Sequence, residues 1–585
     1  MTTEQEIQAI INQYIVERNH NKSSYFDAIK PLVQGRNAAA ATSIRQQWQA
    51  GIHQVYQWVE DEMLTRTGPP AQPIKFGTSG WRGVLGKDLF VRSVAVVTAA
   101  ILNLYREAEG SEELRLALGI GSFAEMQQRG CVVGFDNRFG GPLLARAAVN
   151  VLHANDVKIF YAGEATTGAL SASVLMRKAA FSINLTPSHN PLEYGGFKYN
   201  AADAGPAAPI LTNTITRLAG EYVRLDEVPL IPANLDLRKP LEGLAGLVME
   251  DALASWQQLV RAGVSLHGIE YDLLLADLAT SNEVVVCVDA VHGASRSYIG
   301  RLLNNPPAER LLVLRDTEDP TFGGIAPEPS STNMQPAMAA LAARPEPLKI
   351  GAIIDPDGDR IRFTDGTIEI SMNQFGAMAY HFLHEIKGKR GMVAKTVASS
   401  NLANAVATQL GEAVFEPKVG FKEFKPVINK ALVYFEESDG ISIIGHTPEK
   451  DAFIGLILAI DMVLTLKKPL GHYLAEIEAT FGQYYPDRDG VTVSQQGESL
   501  LRALDQLSAY GPGSRVQVGE KQKTITSVID IDGRKMILDD GSWIMIRPSG
   551  TEPKVRFYVE ARDREETPLL VKSAKSMLAE IGLLP

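Results

Sequence analysis

The feature that most constrains this chain is a unit that recurs along it: a short β-branched strand, a Gly-rich or polar turn, then a helical stretch. Cys131-Val132-Val133-Gly134-Phe135 precedes Ala145 to His153, and Val157-Lys158-Ile159-Phe160 precedes a further helical pattern. Val284 to Asp289 leads into Arg296 to Leu303, and Ile350 to Ile354 ends at an acidic turn. Strands alternating with helices need crossover connections, and so largely parallel sheets. Ligands of such sheets bind beyond the carboxyl ends of the strands, which makes the polar turns there the place to look for chemistry.

The chain is long enough, at 585 residues, for several domains. Hydrophobic content of 45% with 21% charged residues excludes disorder throughout. The balance of 57 basic against 68 acidic residues, a net charge of −11, disfavours a nucleic-acid partner but leaves room for a local basic pocket that takes a small phosphate ester. Cys131 and Cys287 both lie in apolar runs, so neither a disulfide framework nor a cysteine metal site can be built. The N-terminal residues lack the basic and apolar regions of a secretory signal, and the apolar run Ile454 to Leu466 is broken by Asp461. The expectation is a soluble cytoplasmic protein with no membrane partner.

Residues 1–70 carry helix-period apolar positions, among them Ile7, Ile10, Ile11, Tyr14 and Ile15, and stop at Gly68-Pro69-Pro70, which predicts a helical extension. Breaks near 238–247, 365–370 and 485–499 divide the rest into segments 71–245, 246–365, 366–488 and 489–585. The last has alternating strands (Val516 to Val518, Ser527 to Ile531, Lys535 to Leu538, Ile544 to Ile546, Val555 to Glu560) and a closing helix, the pattern of a smaller α+β domain. No short-period repeat is evident.

Five turns could carry chemistry. Thr186-Pro187-Ser188-His189-Asn190-Pro191 follows the strand Phe181 to Leu185, and its two prolines hold a serine hydroxyl in one place, as a nucleophile needs. The plainer reading is a Ser/Asn capping turn. Asp355-Pro356-Asp357-Gly358-Asp359-Arg360 sets three carboxylates at alternate positions, tolerable in one small volume only around a cation. Arg360 and Gly366 stand where a calcium-binding helix-loop-helix needs Gly and Glu, so Mg²⁺ completed by a phosphate oxygen fits better. Arg547-Pro548-Ser549-Gly550-Thr551-Glu552-Pro553-Lys554 offers donors for a phosphate dianion. Phe435-Glu436-Glu437-Ser438-Asp439-Gly440 pairs a carboxylate with a hydroxyl, able to read vicinal sugar hydroxyls. Phe76-Gly77-Thr78-Ser79-Gly80-Trp81-Arg82-Gly83 lets a backbone approach a ligand beside Arg82. Read alone, the Arg547 turn is as readily an ordinary surface turn, the Glu436 turn reads better as a plain acidic loop, and a lone Gly-rich turn is poor evidence of a site.

Together and in this order the five turns resemble the α-D-phosphohexomutase superfamily, the phosphoglucomutases and phosphomannomutases, from about residue 73 to the C-terminus. Tyr194-Gly195-Gly196-Phe197-Lys198, Val291-His292-Gly293-Ala294, Pro327-Glu328-Pro329, Gly420-Phe421-Lys422 and Lys450-Asp451 add to the likeness. The resemblance implies three related α/β domains plus a C-terminal α+β domain around a central cleft. It implies that Ser188 is the phosphorylated serine and that Asp355, Asp357 and Asp359 hold Mg²⁺ together with the Ser188 phosphate. Arg360 then lies by the transferring group, Glu436 and Ser438 read the sugar, and Arg547, Ser549, Gly550 and Thr551 hold the non-reacting phosphate. Lys198, His189, Arg82, His292, Lys422 and Lys450 match acid/base or phosphate contacts. Lys198 is expected to be a general base if surrounding cations lower its pKa.

The implied activity interconverts glucose 1-phosphate and glucose 6-phosphate through glucose 1,6-bisphosphate. Pro187 stands where many members have Ala, which stiffens the loop. No histidine directly follows Gly440, unlike the Glu-x-Ser-Gly-His of mannose- and glucosamine-acting members, and this favours glucose. Phe435 before the two glutamates also resembles phosphopentomutase-like relatives. The alternatives are phosphomannomutase or phosphopentomutase activity, a phosphatase using Asp355 as nucleophile, and a non-catalytic sugar-phosphate binder. The helical extension matches nothing assigned in the family.

Overall fold

A computed structural model describes residues 2–16, 19–77, 80–238, 240–549 and 554–584. The first sheet holds β1 (Trp81–Val84), β2 (Cys131–Phe135), β3 (Ile159–Glu164), β4 (Phe181–Leu185), β5 (Tyr194–Asn200) and β6 (Leu247–Met249), in the order β1-β5-β4-β2-β3-β6. The second holds β7 (Val284–Asp289), β8 (Leu311–Leu314), β9 (Leu348–Ile354), β10 (Ile361–Thr364) and β11 (Glu369–Ile370), ordered β11-β10-β9-β7-β8. The third holds β12 (Met392–Lys395), β13 (Val414–Phe415), β14 (Ala431–Glu436) and β15 (Gly440–Ile443), ordered β13-β12-β14-β15. The fourth is wholly antiparallel. It holds β16 (Tyr485–Thr492), β17 (Arg515–Val518), β18 (Lys521–Ile529), β19 (Arg534–Leu538), β20 (Trp543–Pro548) and β21 (Lys554–Ala561), ordered β16-β21-β20-β19-β18-β17.

Without their outer strands the three mixed sheets share one topology: β5-β4-β2-β3, β10-β9-β7-β8 and β15-β14-β12-β13. In each, three strands run parallel and the fourth turns back antiparallel on the third. The serine, acidic and Glu436 turns are therefore the same hairpin, β4–β5, β9–β10 and β14–β15, in three related units. Burial explains the two strand types. Val284-Val-Val-Cys-Val-Asp289 is buried at all six positions, as a strand covered on both faces must be. Arg515 to Val518 alternates exposed and buried, as on a sheet with one wet face.

The sheets correct the expected boundaries. Strand β6 extends the first sheet past 245, β11 extends the second past 365, and β16 opens the fourth sheet at Tyr485, inside what reads as a polar break. All three are short or exposed edge strands: β6 is three residues with Val248 and Met249 exposed, β11 is two residues, and β16 keeps Asp487 to Gly490 exposed, so that no apolar run marks it. After β7 the chain forms a 3₁₀ turn, Ala294–Ser297, and a single helical turn, Ile299–Leu302, in place of one helix from Arg296 to Leu303.

The N-terminal residues form α1 (Thr3–Tyr14), α2 (Tyr25–Ala38) and α3 (Thr42–Thr65). A Thr2 capping box with Gln5 starts α1. Ile7, Ile11, Leu32, Ile52, Val55, Val59 and Met63 share one continuous core with Val94, Val97, Val133 and Phe181, so the helices are part of the first unit. The Tyr56 ring stacks on Phe139, with centroids 4.2 Å apart. Ile52 is fully buried. Ile52→Ala is expected to destabilise the protein by about 2–5 kcal/mol, read as a lower urea midpoint, and to do so for the whole first unit.

The fourth domain packs on the third through Trp543, Met545 and Tyr558 against Val397 and Ala398. Lys535 Nζ donates to the Val397 carbonyl (2.8 Å) and to Glu416 Oε1 (3.1 Å), and Lys395 Nζ lies 3.3 Å from the same oxygen. Burial, and then Lys535, push the Lys395 ammonium from 10.5 down to about 8. Above about pH 8 the folded chain has shed a proton that the unfolded chain keeps until 10.5, so stability rises with pH across this window. Lys395→Met is expected to flatten that rise, measured as urea midpoints on either side of the window.

Candidate active site

Ser188 sits at the tip of the β4–β5 hairpin with φ +58°, a left-handed backbone costing about 1–2 kcal/mol for a residue with a Cβ. Its surroundings hold it there. The Ser188 N–H donates to Thr186 Oγ1 (2.9 Å), whose own hydroxyl donates to Asp136 Oδ2 (2.6 Å). Arg138 donates to the carbonyls of Ser188 (2.6 Å), Pro191 (2.7 Å) and Tyr194 (3.3 Å), and also to that of Asn190. Its partner charge is Asp136, 3.4 Å away. Burial raises Asp136 to about 6, against the pull of Arg138 and Thr186.

The Ser188 side chain is itself buried, 1% exposed, and Oγ donates to Asp355 Oδ2 at 2.7 Å, with Asp359 Oδ1 at 3.4 Å. Residues 167 and more apart in the chain thus meet across the first two domains. Asp355, Asp357 and Asp359 are all buried, with ligand oxygens within 4.8 Å of one another. Asp355 Oδ1 accepts the N–H groups of Asp359 and Arg360, both at 3.0 Å. Asp357 Oδ2 accepts Thr167 Oγ1 (2.7 Å) and Lys198 Nζ (2.5 Å), while its Oδ1 is buried with no hydrogen-bond partner. Gly358 makes the turn possible, with φ +65° and Thr166 Cγ2 2.8 Å from where a Cβ would stand.

Cations from all three α/β domains close on this acid. Lys198 Nζ is 2.7 Å from Asp359 Oδ2, Lys450 Nζ is 3.4 Å from the same oxygen and 3.5 Å from Glu436 Oε1, and Arg360 Nε is 3.7 Å from Asp359 Oδ1. Burial and the neighbouring Asp357 and Asp359 hold the Asp355 carboxyl well above its usual range. Burial also acts to raise Asp359, but Lys198, Lys450 and Arg360 outweigh it and hold Asp359 well below. Burial, then Arg360 and Arg82, keep His189 well below the usual imidazole value, and its Nδ1 lies 3.4 Å from Ser188 Oγ. Burial and Arg360 likewise lower Arg82, which sits on β1 opposite Gly196.

The electrostatics around Lys198 are the reverse of those expected. Its neighbours are carboxylates rather than cations. Burial acts to lower its pKa, but Asp357, Asp359 and Glu449 outweigh this and raise it. The reason is topological: Lys198 lies on β5, which runs back from the serine turn alongside the acidic hairpin.

The remaining expected residues are placed by their own elements. His292 Nδ1 is 2.9 Å from the Thr317 carbonyl oxygen, and the His292 carbonyl accepts Asn137 Nδ2. Ser438 is half-buried on the turn after Glu436. Next to it, Asp439 takes the Arg362 guanidinium at 3.1 and 2.8 Å and ties the third hairpin to the second. Lys422 is half-buried on the 3₁₀ stretch Phe421–Val427. Arg547 on β20 pairs with Asp532 (3.0 Å), and the Ser549 N–H donates to the Lys554 carbonyl (2.8 Å) across the turn. Gly550 and Thr551 lie outside the described residues. The sequence reading missed Asp136, Arg138, Thr167 and Glu449. The first two end the buried strand β2, and Thr167 follows β3, so the strand-end rule that picked out Asp355 applies to them equally.

Four domain signatures match in order: phosphoglucomutase/phosphomannomutase α/β/α domain I over residues 112–223, domain II over 269–368, domain III over 371–481, and the C-terminal domain over 512–573. The chain belongs to the phosphoglucomutase/phosphomannomutase family. It is thus an enzyme of the phosphohexomutase type, with three α/β domains and a C-terminal α+β domain. Phosphoglucomutase of Komagataeibacter xylinus is 26% identical over 538 residues, covering 86% of this chain and 90% of that protein. Cytoplasmic phosphoglucomutase of Solanum tuberosum is 26% identical over 517 residues, covering 77% and 87%.

Among solved structures, the open form of the phosphoglucomutase parafusin from Paramecium shares the fold at TM-score 0.65 and 19% identity, covering 88% of this chain and 96% of that one. A phosphoglucomutase/phosphomannomutase family protein from Burkholderia thailandensis does so at 0.64 and 18%, covering 86% and 97%. Within this family fold the Asp136–Arg138 pair is a support of the serine hairpin. Arg138→Met is expected to leave Asp136 buried without its counter-ion and four carbonyls without a donor, a loss of about 3–5 kcal/mol by urea denaturation.

Proposed function

We propose that the enzyme is a phosphoglucomutase that carries the phosphoryl group on Ser188 and passes through glucose 1,6-bisphosphate. The observation that carries this reading is the 2.7 Å contact of Ser188 Oγ with Asp355, at the mouth of three converging carboxylates. The relatives named phosphoglucomutase support the choice of sugar. Asp355 is already committed, with Oδ1 on two backbone amides and Oδ2 on Ser188. That favours transfer through the serine over a phosphatase in which Asp355 attacks.

The acidic cluster suits a hard divalent cation. It offers only oxygen, and Asp357 Oδ1 is buried without a partner. Asp355, Asp357, Asp359 and a phosphate oxygen on Ser188 would hold Mg²⁺. When bound, such an ion draws charge from the phosphoryl oxygens. The chain's own part is placement. Arg82, Arg360 and Lys450 ring the anion, and the hairpin fixes Oγ so that the sugar hydroxyl meets the phosphorus in line. In the forward step the phosphorus–Oγ bond breaks and the bond to the sugar oxygen forms. The hydroxyl proton leaves to His189, whose imidazole is kept neutral by burial and Arg360, and a proton returns to the freed Ser188 Oγ. Lys198, held as an ammonium by Asp357 and Asp359, serves as a counter-charge and not as the base. Glu436 reads sugar hydroxyls, and Arg547, Ser549, Gly550 and Thr551 hold the other phosphate. The bisphosphate then turns over, so that Ser188 recovers the phosphoryl group from the opposite end.

Intact mass of the native protein is expected to show one phosphate-sized increment that Ser188→Ala abolishes, with turnover falling about 10⁴-fold or more. Full turnover in Ser188→Ala would reject the mechanism. Chelation of divalent ions is expected to stop turnover reversibly while the increment on Ser188 stays. Glucose, mannose and pentose 1-phosphates in competition in one coupled assay test the sugar.

A further inference from the structure

The N-terminal helices touch both domains that build the serine site. On the first domain, Lys30 of α2 pairs with Glu193 of the serine hairpin (3.0 Å), and Tyr56 of α3 stacks on Phe139, the residue after Arg138. On the second domain, α2 grips one turn, residues 319–324. Arg36 reaches Asp319 Oδ2 at 2.9 Å and Thr321 Oγ1 at 3.2 Å, Asn37 Nδ2 donates to the Gly323 carbonyl at 2.8 Å, and Val33 packs under Gly324. Asp319 is the hub of that turn. Its carboxylate also accepts the Thr321 N–H (2.9 Å) and hydroxyl (2.6 Å) and the Gly323 N–H (3.2 Å).

The turn has one unusual member. Phe322 is fully buried and left-handed, with φ +52°. A phenylalanine keeps that backbone only where its surroundings over-determine it. Its ring lies 4.8 Å from the Arg138 guanidinium, the group that holds the carbonyls of Ser188, Asn190, Pro191 and Tyr194. A continuous path therefore runs from α2 through Asp319, Phe322 and Arg138 to the backbone of Ser188.

We propose that Arg36 is a positioning residue for the phosphoryl-carrying serine, acting through Phe322 and Arg138, and that the N-terminal helices are a strap that sets the first two domains in register. The inference rests on Ser188 being the carrier. Arg36 touches no reacting atom. It clamps the turn that keeps the Phe322 ring over Arg138, and so narrows the positions Ser188 Oγ can take beside Asp355.

The test uses the full-length protein. Arg36→Ala is expected to lower kcat about ten- to a hundredfold, the effect of a misplacement of about 1 Å, with KM changed less than about twofold. Hydrogen exchange of residues 188–194 is expected to quicken while exchange in the fourth domain does not. Arg36→Lys keeps the ion pair without the fork and should fall between. Arg45→Ala, on an exposed arginine of α3 that donates to the Ala39 carbonyl, should match wild type. Phe322→Leu should reproduce the kcat loss and add little to it in the Arg36→Ala background. Wild-type kcat and wild-type exchange in Arg36→Ala, or losses that add in the double variant, would overturn the proposal. If Arg36→Ala does not fold, Phe322→Leu alone decides, a kcat loss supporting the path and wild-type kcat rejecting it. A wild-type protein without mutase activity would sink the functional reading instead, and the exchange of residues 188–194 would still decide the strap.

Discussion

Three carboxylates within 4.8 Å of one another, all withdrawn from water, define a charge that the fold has to compensate from several directions at once. Lys198 comes from the first domain, Arg360 from the second and Lys450 from the third, each within reach of Asp359. No single domain could supply this set, because one hairpin has too few positions that face one point. The need to neutralise the acid thus binds the first three domains into one structure, and the same convergence brings the Ser188 hydroxyl to Asp355. Stability and chemistry here rest on one electrostatic arrangement.

The means of convergence is a repeated hairpin. In each α/β unit the third strand of the parallel set ends in a turn and the chain comes straight back antiparallel, so the turn stands clear at the carboxyl edge. One copy carries the hydroxyl, the next the carboxylates, the third Glu436 and Asp439. The backbone strain at Ser188 and Asp439, both left-handed, falls on two of these tips, and in each case ion-paired or hydrogen-bonded neighbours hold it. The fourth domain is built otherwise, as an antiparallel sheet anchored to the third by Trp543, Tyr558 and the Lys535–Glu416 contact.

Much of the fold and the centre of the site were legible in the residues. Buried strands announce themselves as unbroken apolar runs, and the turns after them stand out by polarity, which is how Ser188 and Asp355 were found. The edge strand β16 was not legible, because a strand that keeps its charged residues in water looks like a loop. Asp136 and Arg138 follow a buried strand as Asp355 does, but their work is to support a hairpin 50 residues away, and their position at a strand end does not reveal that partner.

What the sequence determined by itself is local: which buried segments are strands and helices, where the polar turns lie, and that one of them carries three carboxylates at alternate positions. These follow from side-chain periodicity and from chemistry within a few residues. Only the tertiary structure decided which turns meet, that the three units share one strand order, and that the N-terminal helices belong to the first core. It also decided the sign of the field at Lys198, which carboxylates from another domain set. Such properties depend on groups distant in the chain, and the fall of Coulomb energy with distance through a low-dielectric interior makes them functions of fold alone.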